Sequence, residues 1–256
     1  MPEPPWRVPS EKRAEIFRHL TGETVAGANP PEITETGQGG KFRPDGTVLV
    51  FPGNTFICHI DRASAFHAAL CEMQDTVRTR PYADHFAFLP KPSFHMTIFC
   101  GISGAPLGVD GWPEGLPRDA TLEAVSAEFR DRLRGERGPD GYSVKATGLR
   151  LPMTIEMEPA SEAEGEKLLD MRNKLQAVTG IYRPDFDEYR FHVSLAYLTR
   201  RLSPAEAETV MADVETLFER LFLDLEPVAL GPVEFCEFET MHHFEPMGRL
   251  GPNGFG

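Results

Sequence analysis

Two short segments of this chain share one pattern of aromatic, histidine, apolar, hydroxyl and apolar residues: FHMTI at residues 94–98 and FHVSL at residues 191–195. Side chains alternate between the two faces of a β-strand, so the histidine and the hydroxyl of each segment would point one way and the apolar residues the other. Packing alone poorly explains a strand of this kind. The pair therefore predicts a symmetric site with two imidazoles and two hydroxyls, those of His95, Thr97, His192 and Ser194.

Each segment ends a longer repeated unit. In the first half, residues 47–51 and 55–58 are predicted as strands, and a helix capped by Asp61 is predicted to run to about Arg78. The first histidine segment then lies in a strand over about 93–100. Strand, helix and histidine strand thus follow one another in this half.

The second half repeats this order. A strand is predicted over 151–157, a capping box of Ser161 and Glu164 opens a helix that Gly180 ends, and the second histidine strand covers about 190–198. The spacing from strand to histidine agrees between the halves to within one residue, as the pairs Ile57–His95 and Ile155–His192 show. This duplication predicts an α+β fold in which two strand–helix–strand lobes close on a central cleft.

The repeat also predicts the domain organisation. We expect one domain over residues 41–247, with lobes at about 41–118 and 142–200. Residues 1–40 are rich in Pro, Gly, Glu and Thr and are predicted to form a partly flexible surface extension. Residues 248–256 are predicted to form a loose, flexible tail.

The acidic composition limits the kinds of partner. A net charge of −13 disfavours a protein that coats long nucleic acid, which needs clustered Lys and Arg, but it permits a small phosphate ligand. No apolar run approaches the roughly 18 residues of a membrane-spanning helix, and the first residues lack the layout of a secretory signal. A cytoplasmic protein that binds no membrane is expected, and its oligomeric state is left open.

The two histidine segments, together with the duplicated unit, resemble the 2H phosphoesterase superfamily. That group includes the bacterial 2′-5′ RNA ligase-like proteins and the cyclic nucleotide phosphodiesterases, and the resemblance covers roughly residues 45–240. It implies a bilobed, pseudo-twofold fold with two antiparallel sheets facing a central cleft and helices outside. The N-terminal extension and the 101–117 loop make this chain longer than compact members, which suggests a less characterised bacterial branch.

This resemblance implies a metal-independent phosphodiesterase that opens a cyclic phosphate or a 2′-5′ phosphodiester of a nucleotide or RNA end. A histidine has a pKa near 6.5, so one can take a proton from water while the other gives a proton to the departing oxygen. Thr97 and Ser194 are placed to donate hydrogen bonds to the non-bridging phosphate oxygens. No metal and no other cofactor is required by this scheme.

Strand alternation adds candidate substrate-binding residues. Counting by two from His95 gives Ser93 and Lys91, and counting by two from His192 gives Arg190. The two cations are candidates for the rim of the phosphate site. For Arg190 an ordinary surface ion pair is an equal alternative. Two aromatic residues are candidates to stack on a base, Tyr197 and Phe244.

Two other functions remain open at this point. One is a binding module that holds a nucleotide or RNA end in the same cleft without turnover. The other is a metal-dependent hydrolase that uses His59, His95, His192 and nearby carboxylates. His242 and His243 are adjacent, so on a strand they would face opposite ways and not share a metal. Without such a metal, His59, His67 and His85 are predicted to be structural or at the surface. The four cysteines show no metal-like spacing and are predicted to be buried free thiols: Cys58, Cys71, Cys100 and Cys236.

Overall fold

The computed structural model describes residues 10–23 and 29–256. It is a mixed α/β structure with antiparallel sheets. Its helices are α1 Ser10–Thr21, α2 Ala65–Arg78, α3 Leu122–Leu133, α4 Glu162–Thr179 and α5 Pro204–Phe222. Its strands are β1 Gly53–His59, β2 Phe86–Phe88, β3 His95–Ser103, β4 Tyr142–Leu151, β5 Thr154–Pro159, β6 His192–Ser194, β7 Ala196–Leu198, β8 Val228–Leu230, β9 Val233–Thr240, β10 His243–Gly251 and β11 Gly254–Phe255.

Within the described residues the strands form two larger sheets and one small one. The five-stranded sheet has the order β11-β10-β9-β1-β3, and the four-stranded sheet has the order β6-β5-β4-β8. The remaining pair, β2 and β7, joins the first half of the chain to the second. Each predicted histidine strand therefore lies at the edge of its own sheet, and β3 contacts β6.

The two histidine strands follow the predicted alternation. On β3, Met96 and Ile98 are fully buried, whereas His95 and Thr97 on the opposite face are only half-buried. On β6, Val193 is fully buried between the two half-buried polar side chains of that strand. The apolar face of each strand is thus fixed in the core, which leaves the polar face for a site.

Helix ends explain part of the agreement between sequence and structure. The Ser161 hydroxyl accepts the backbone N–H of Glu164, and Gly180 ends α4 with a left-handed backbone at φ 68°. At α2, however, the cap is Ser64 rather than the predicted Asp61. The Asp61 carboxylate instead accepts the N–H of Ala63 in the turn before the helix.

The segment before β1 differs from its prediction. Residues 47–51 form no strand and contribute only an isolated bridge between Phe42 and Val48. In the predicted extension, α1 packs on α5 with Ile16 and Leu20 buried. The flexibility predicted for 1–9 and 24–28 concerns residues that lie outside the described part of the chain.

The C-terminal segment also differs from its prediction. Instead of a loose tail after residue 247, β10 extends to Gly251 and pairs with β11, and Leu250 is 1% exposed. The Gly, Pro and Asn content of this segment is typical of loops, but pairing with β9 satisfies its backbone groups. No described helix combines the length and the apolar character needed to cross a bilayer.

Candidate active site

The four residues predicted from the duplicated motif line one cavity. Its volume is about 220 Å³, and its wall includes His95, Thr97, His192 and Ser194. His95 lies opposite His59 in the β1–β3 register, and His192 lies opposite Glu156 in the β5–β6 register. The edges of the two sheets therefore bring together two motifs that are far apart in sequence.

His95 is held in one orientation by its own strand. Its Nδ1 lies 2.7 Å from the carbonyl oxygen of Ser93, and its ring packs 4.3 Å from the Phe244 ring, centroid to centroid. Because a carbonyl oxygen only accepts, Nδ1 carries the proton and Nε2 of the neutral ring has a free lone pair. Burial lowers the pKa of His95 to about 4, and the nearby His59 and His192 add to this lowering.

His192 has the same local geometry. Its Nδ1 lies 2.9 Å from the carbonyl oxygen of Arg190, which is again the residue two positions earlier. Arg150 Nη1 donates to that carbonyl at 3.0 Å and lies 3.1 Å from Nδ1. Burial lowers the pKa of His192, and the charges of Arg150 and Lys41 add to the effect. Both imidazoles are thus oriented by the same device and are neutral at pH 7.

The two hydroxyls are available for a ligand. Thr97 and Ser194 are both half-buried and line the cavity. Neither side-chain oxygen has a hydrogen bond to any other group in the described part of the chain. A hydroxyl on a cavity wall without a protein partner suits an acceptor such as a phosphate oxygen.

The accessory residues predicted by alternation lie elsewhere. Lys91 Nζ pairs with Asp75 at 2.6 Å, and the Ser93 hydroxyl donates to the Pro90 carbonyl at 2.7 Å. The Arg190 side chain is 67% exposed and pairs with Glu156. The alternation failed because residues 91–93 form a 3₁₀ turn and β6 begins only at His192. Ser93 and Arg190 instead orient the two histidines through their carbonyls.

The cation at the cavity is Lys41, which the sequence did not indicate. Among described Lys and Arg side chains it alone lines the cavity, and its Nζ lies 5.1 Å from the centre of the Tyr197 ring. It pairs with Glu32 at 2.6 Å and is 16% exposed. Although burial lowers the pKa of Lys41, Tyr197 and Glu32 raise it more, so the ammonium stays charged. Glu32 itself adopts a left-handed backbone at φ 67°.

A second cavity adjoins the first. Its volume is about 320 Å³, and it shares four wall residues with the first cavity: Lys41, His192, Ser194 and Tyr197. The rest of its wall comes from the end of α1, from residues 30–32, from the β4–β5 turn at 150–154, and from Phe86, Ala196 and Leu198 of the β2–β7 pair. Of the two aromatic stacking candidates, Tyr197 borders both cavities and Phe244 borders only the first.

One group of metal-ligating side chains lies beside the cavity. Donor atoms of His59, Glu234 and Cys236 lie within 4.8 Å of one another. The Glu234 carboxylate is already paired with His59 and with Arg249, and burial raises the pKa of the Cys236 thiol. A paired carboxylate and a protonated thiol fit an ion-pair cluster better than a metal site. This group includes neither His95 nor His192.

The remaining histidines and cysteines have ordinary surroundings. His67 Nε2 donates to the Lys91 carbonyl at 3.2 Å, and His243 pairs with Glu245 at the surface. All four cysteines are free thiols: Cys58 and Cys236 are buried, and Cys71 and Cys100 are half-buried. Cys100 lines the first cavity beside the catalytic candidates.

A comparison with solved structures supports the fold. A crystal structure of a conserved protein of unknown function from Agrobacterium tumefaciens str. C58 matches with a TM-score of 0.82 and 27% identity. The match covers 90% of this chain and 97% of that one. No curated protein matches the sequence.

A family model also matches, over residues 41–155. It is named 2H-phosphodiest and described as a domain of unknown function, DUF1868. The matched region contains the first histidine motif, and the second motif at 192–194 lies beyond it. Residues 41–155 of this chain are thus similar to a 2H phosphoesterase family model.

Proposed function

We propose that this protein is a metal-independent phosphodiesterase that opens a cyclic phosphate or a 2′-5′ phosphodiester of a nucleotide or RNA end. The match of residues 41–155 to a 2H phosphoesterase family model supports phosphoesterase activity in general. The observation that carries the finer proposal is the matched orientation of His95 and His192 on one cavity, each through Nδ1 and a carbonyl two residues earlier. In this proposal the two larger sheets are two lobes related by a pseudo-twofold axis, with the cavity between them.

The proposed reaction is an attack of water on phosphorus. Nε2 of one neutral histidine takes a proton from the water, whose oxygen bonds to phosphorus. The bond from phosphorus to the departing ribose oxygen breaks, and the other histidine, in its protonated form, gives that oxygen a proton. The product is a phosphomonoester and a free hydroxyl.

The cavity wall supplies the charge stabilisation for this step. Thr97 and Ser194 donate hydrogen bonds to the non-bridging oxygens, where negative charge grows in the transition state. Lys41 provides the cation that the predicted Lys91 and Arg190 do not. A positive group in a partly buried cavity acts more strongly on a phosphate than it would in water.

In this proposal the charge of the bound substrate also changes the protonation of the two histidines. The pKa values of both histidines are lowered in the free protein, so neither is protonated at pH 7. A bound phosphate anion favours the protonated form of an adjacent imidazole and so supplies the general acid. The larger lowering at His95 favours His95 as the base and His192 as the acid.

A substrate panel tests the proposal. Wild-type protein is assayed in EDTA against 2′,3′-cyclic nucleotides, ADP-ribose cyclic phosphate and 2′-5′-linked dinucleotides. We expect product from at least one of them. Failure on all of them, combined with thermal stabilisation by the same compounds, would favour the binding module. Turnover that appears only after a divalent metal is added would favour the metal-dependent hydrolase.

A further inference from the structure

We propose that the second cavity binds a second substituent of the phosphodiester, so that the substrate carries one ring-bearing group on each side of phosphorus. This inference rests on the proposed function and concerns the class of substrate. A cyclic mononucleotide has a single nucleoside and fills one cavity, whereas a dinucleoside phosphate fills two.

The first argument is the position of the boundary between the cavities. The residues that border both are Lys41, His192, Ser194 and Tyr197. They include one histidine, one hydroxyl and the cation of the candidate active site. A phosphate held by these groups is therefore open on one side to the 220 Å³ cavity and on the other to the 320 Å³ cavity. His192 is then placed to protonate the oxygen that leaves with the group in the second cavity.

The second argument is the chemistry of the second cavity's wall. Its apolar lining residues include Pro30 and Pro31 before Lys41, and Leu151, Pro152 and Met153 at the β4–β5 turn. An apolar wall of this kind, around a volume at the lower end of that of small-molecule sites, suits a flat ring.

The third argument concerns charge. Arg150 also lines the second cavity, but its Nη1 is already bonded to the Arg190 carbonyl. The Lys41 ammonium lies at the boundary, paired with Glu32. Arg150 has no carboxylate partner among the described residues, and its Nη1 lies 3.1 Å from His192 Nδ1. Both cations of this wall therefore lie at or beside the boundary between the cavities. This arrangement favours a single phosphate at the boundary and an uncharged substituent, such as a nucleoside, beyond it.

The test compares two substrates with the same type of phosphorus centre in variants that fill the second cavity. Leu151→Trp adds a ring from the half-buried end of β4, and His19→Trp adds one from α1. Each is expected to lower kcat/KM for 2′-5′-linked diadenosine monophosphate about ten-fold or more. Neither is expected to change kcat/KM for adenosine 2′,3′-cyclic phosphate. Leu221→Trp, at a half-buried leucine on α5 outside both cavities, is the matched control.

The outcomes separate this inference from the proposed function. Equal losses on both substrates, or no loss on the dinucleotide, would overturn the inference while leaving the phosphodiesterase proposal intact. If the wild type cleaves neither substrate, calorimetric binding of the dinucleotide decides the inference, and the proposed function fails only if the rest of the substrate panel is also left uncleaved. Weaker binding in both cavity-filling variants, but not in Leu221→Trp, supports the second-cavity site. Unchanged binding, or no binding by the wild type, overturns it.

Discussion

At the scale of single residues, the site depends on how two imidazoles are held. His95 and His192 each use Nδ1 to bond the carbonyl two residues earlier, which frees Nε2 for proton transfer. Burial lowers the pKa of both rings, so the resting site is uncharged at its histidines. Lys41 then carries the positive charge of the cavity wall, which in the proposed function attracts the substrate phosphate.

The lowered pKa values predict an acidic pH optimum. The profile of kcat/KM reports the free protein, in which the base must be neutral and the acid protonated. Its acidic limb should fall near pH 4, the pKa of His95. Its alkaline limb should begin below pH 6.5, the ordinary histidine value, because the pKa of His192 is lowered. The kcat profile should lie at higher pH, since bound phosphate raises both values. A kcat/KM maximum above pH 7 would contradict this assignment.

The Lys41 ammonium is predicted to bind the negatively charged phosphate of the substrate. Lys41→Met should lower kcat/KM about 10²-fold, with weaker competitive inhibition by inorganic phosphate, because a donor and a charge are lost at the phosphate. Lys41→Arg should recover part of the activity, since it keeps the charge. Lys145→Met removes an exposed lysine on β4 and serves as the control. If phosphate inhibits Lys41→Met as strongly as the wild type, Lys41 has no part in binding it.

At the scale of elements, the sequence predicted strand faces and helix ends, because residues close in sequence determine both. Alternation along β3 and β6 predicted which side chains face the cavity, and the Ser161 and Gly180 signals predicted both ends of α4. The same alternation failed for Lys91 and Arg190, because it holds only inside a strand and both residues precede one.

Lys41 could not be predicted in the same way. It lies in an irregular segment whose path is set by contacts distant in sequence, such as the burial of Phe42 against the Tyr197 ring at 5.1 Å. Its charge partner, Glu32, comes from the same irregular segment. No periodicity or motif in residues 29–51 carries this information.

The end of α4 gives a prediction at this scale. Gly180→Ala should lower the free energy of unfolding by about 1 kcal/mol or more, because alanine disfavours a left-handed backbone. Its Cβ would also lie 3.1 Å from the Glu114 backbone nitrogen. The control is Gly165→Ala in the first turns of α4, where the new Cβ meets only ordinary contacts. That substitution should stabilise by up to about 1 kcal/mol. Urea denaturation measures both free energies of unfolding. Equal effects of the two substitutions would show that the left-handed backbone at Gly180 does not disfavour alanine.

At the scale of the whole molecule, both ends of the chain complete what the duplicated units begin. β9 and β10 extend the sheet that carries His95, and the segment after α1 brings Lys41 to the cavity beside His192. The repeat predicted the centre of this arrangement from the sequence. It could not predict the ends, because their pairing depends on partners formed elsewhere in the fold.

The central claim is that the two histidines act as one acid–base unit, and the kinetics of their single and double variants test it most directly. In EDTA, with a substrate the wild type cleaves, His95→Ala and His192→Ala should each lower kcat/KM by about 10²- to 10⁴-fold. The double variant should fall little further, because each group works only with the other. His243→Ala, at an exposed histidine outside both cavities, should match the wild type. Two results would contradict the account. One is a single variant that keeps wild-type kcat/KM, and the other is a double variant whose fold-loss equals the product of the fold-losses of the two single variants.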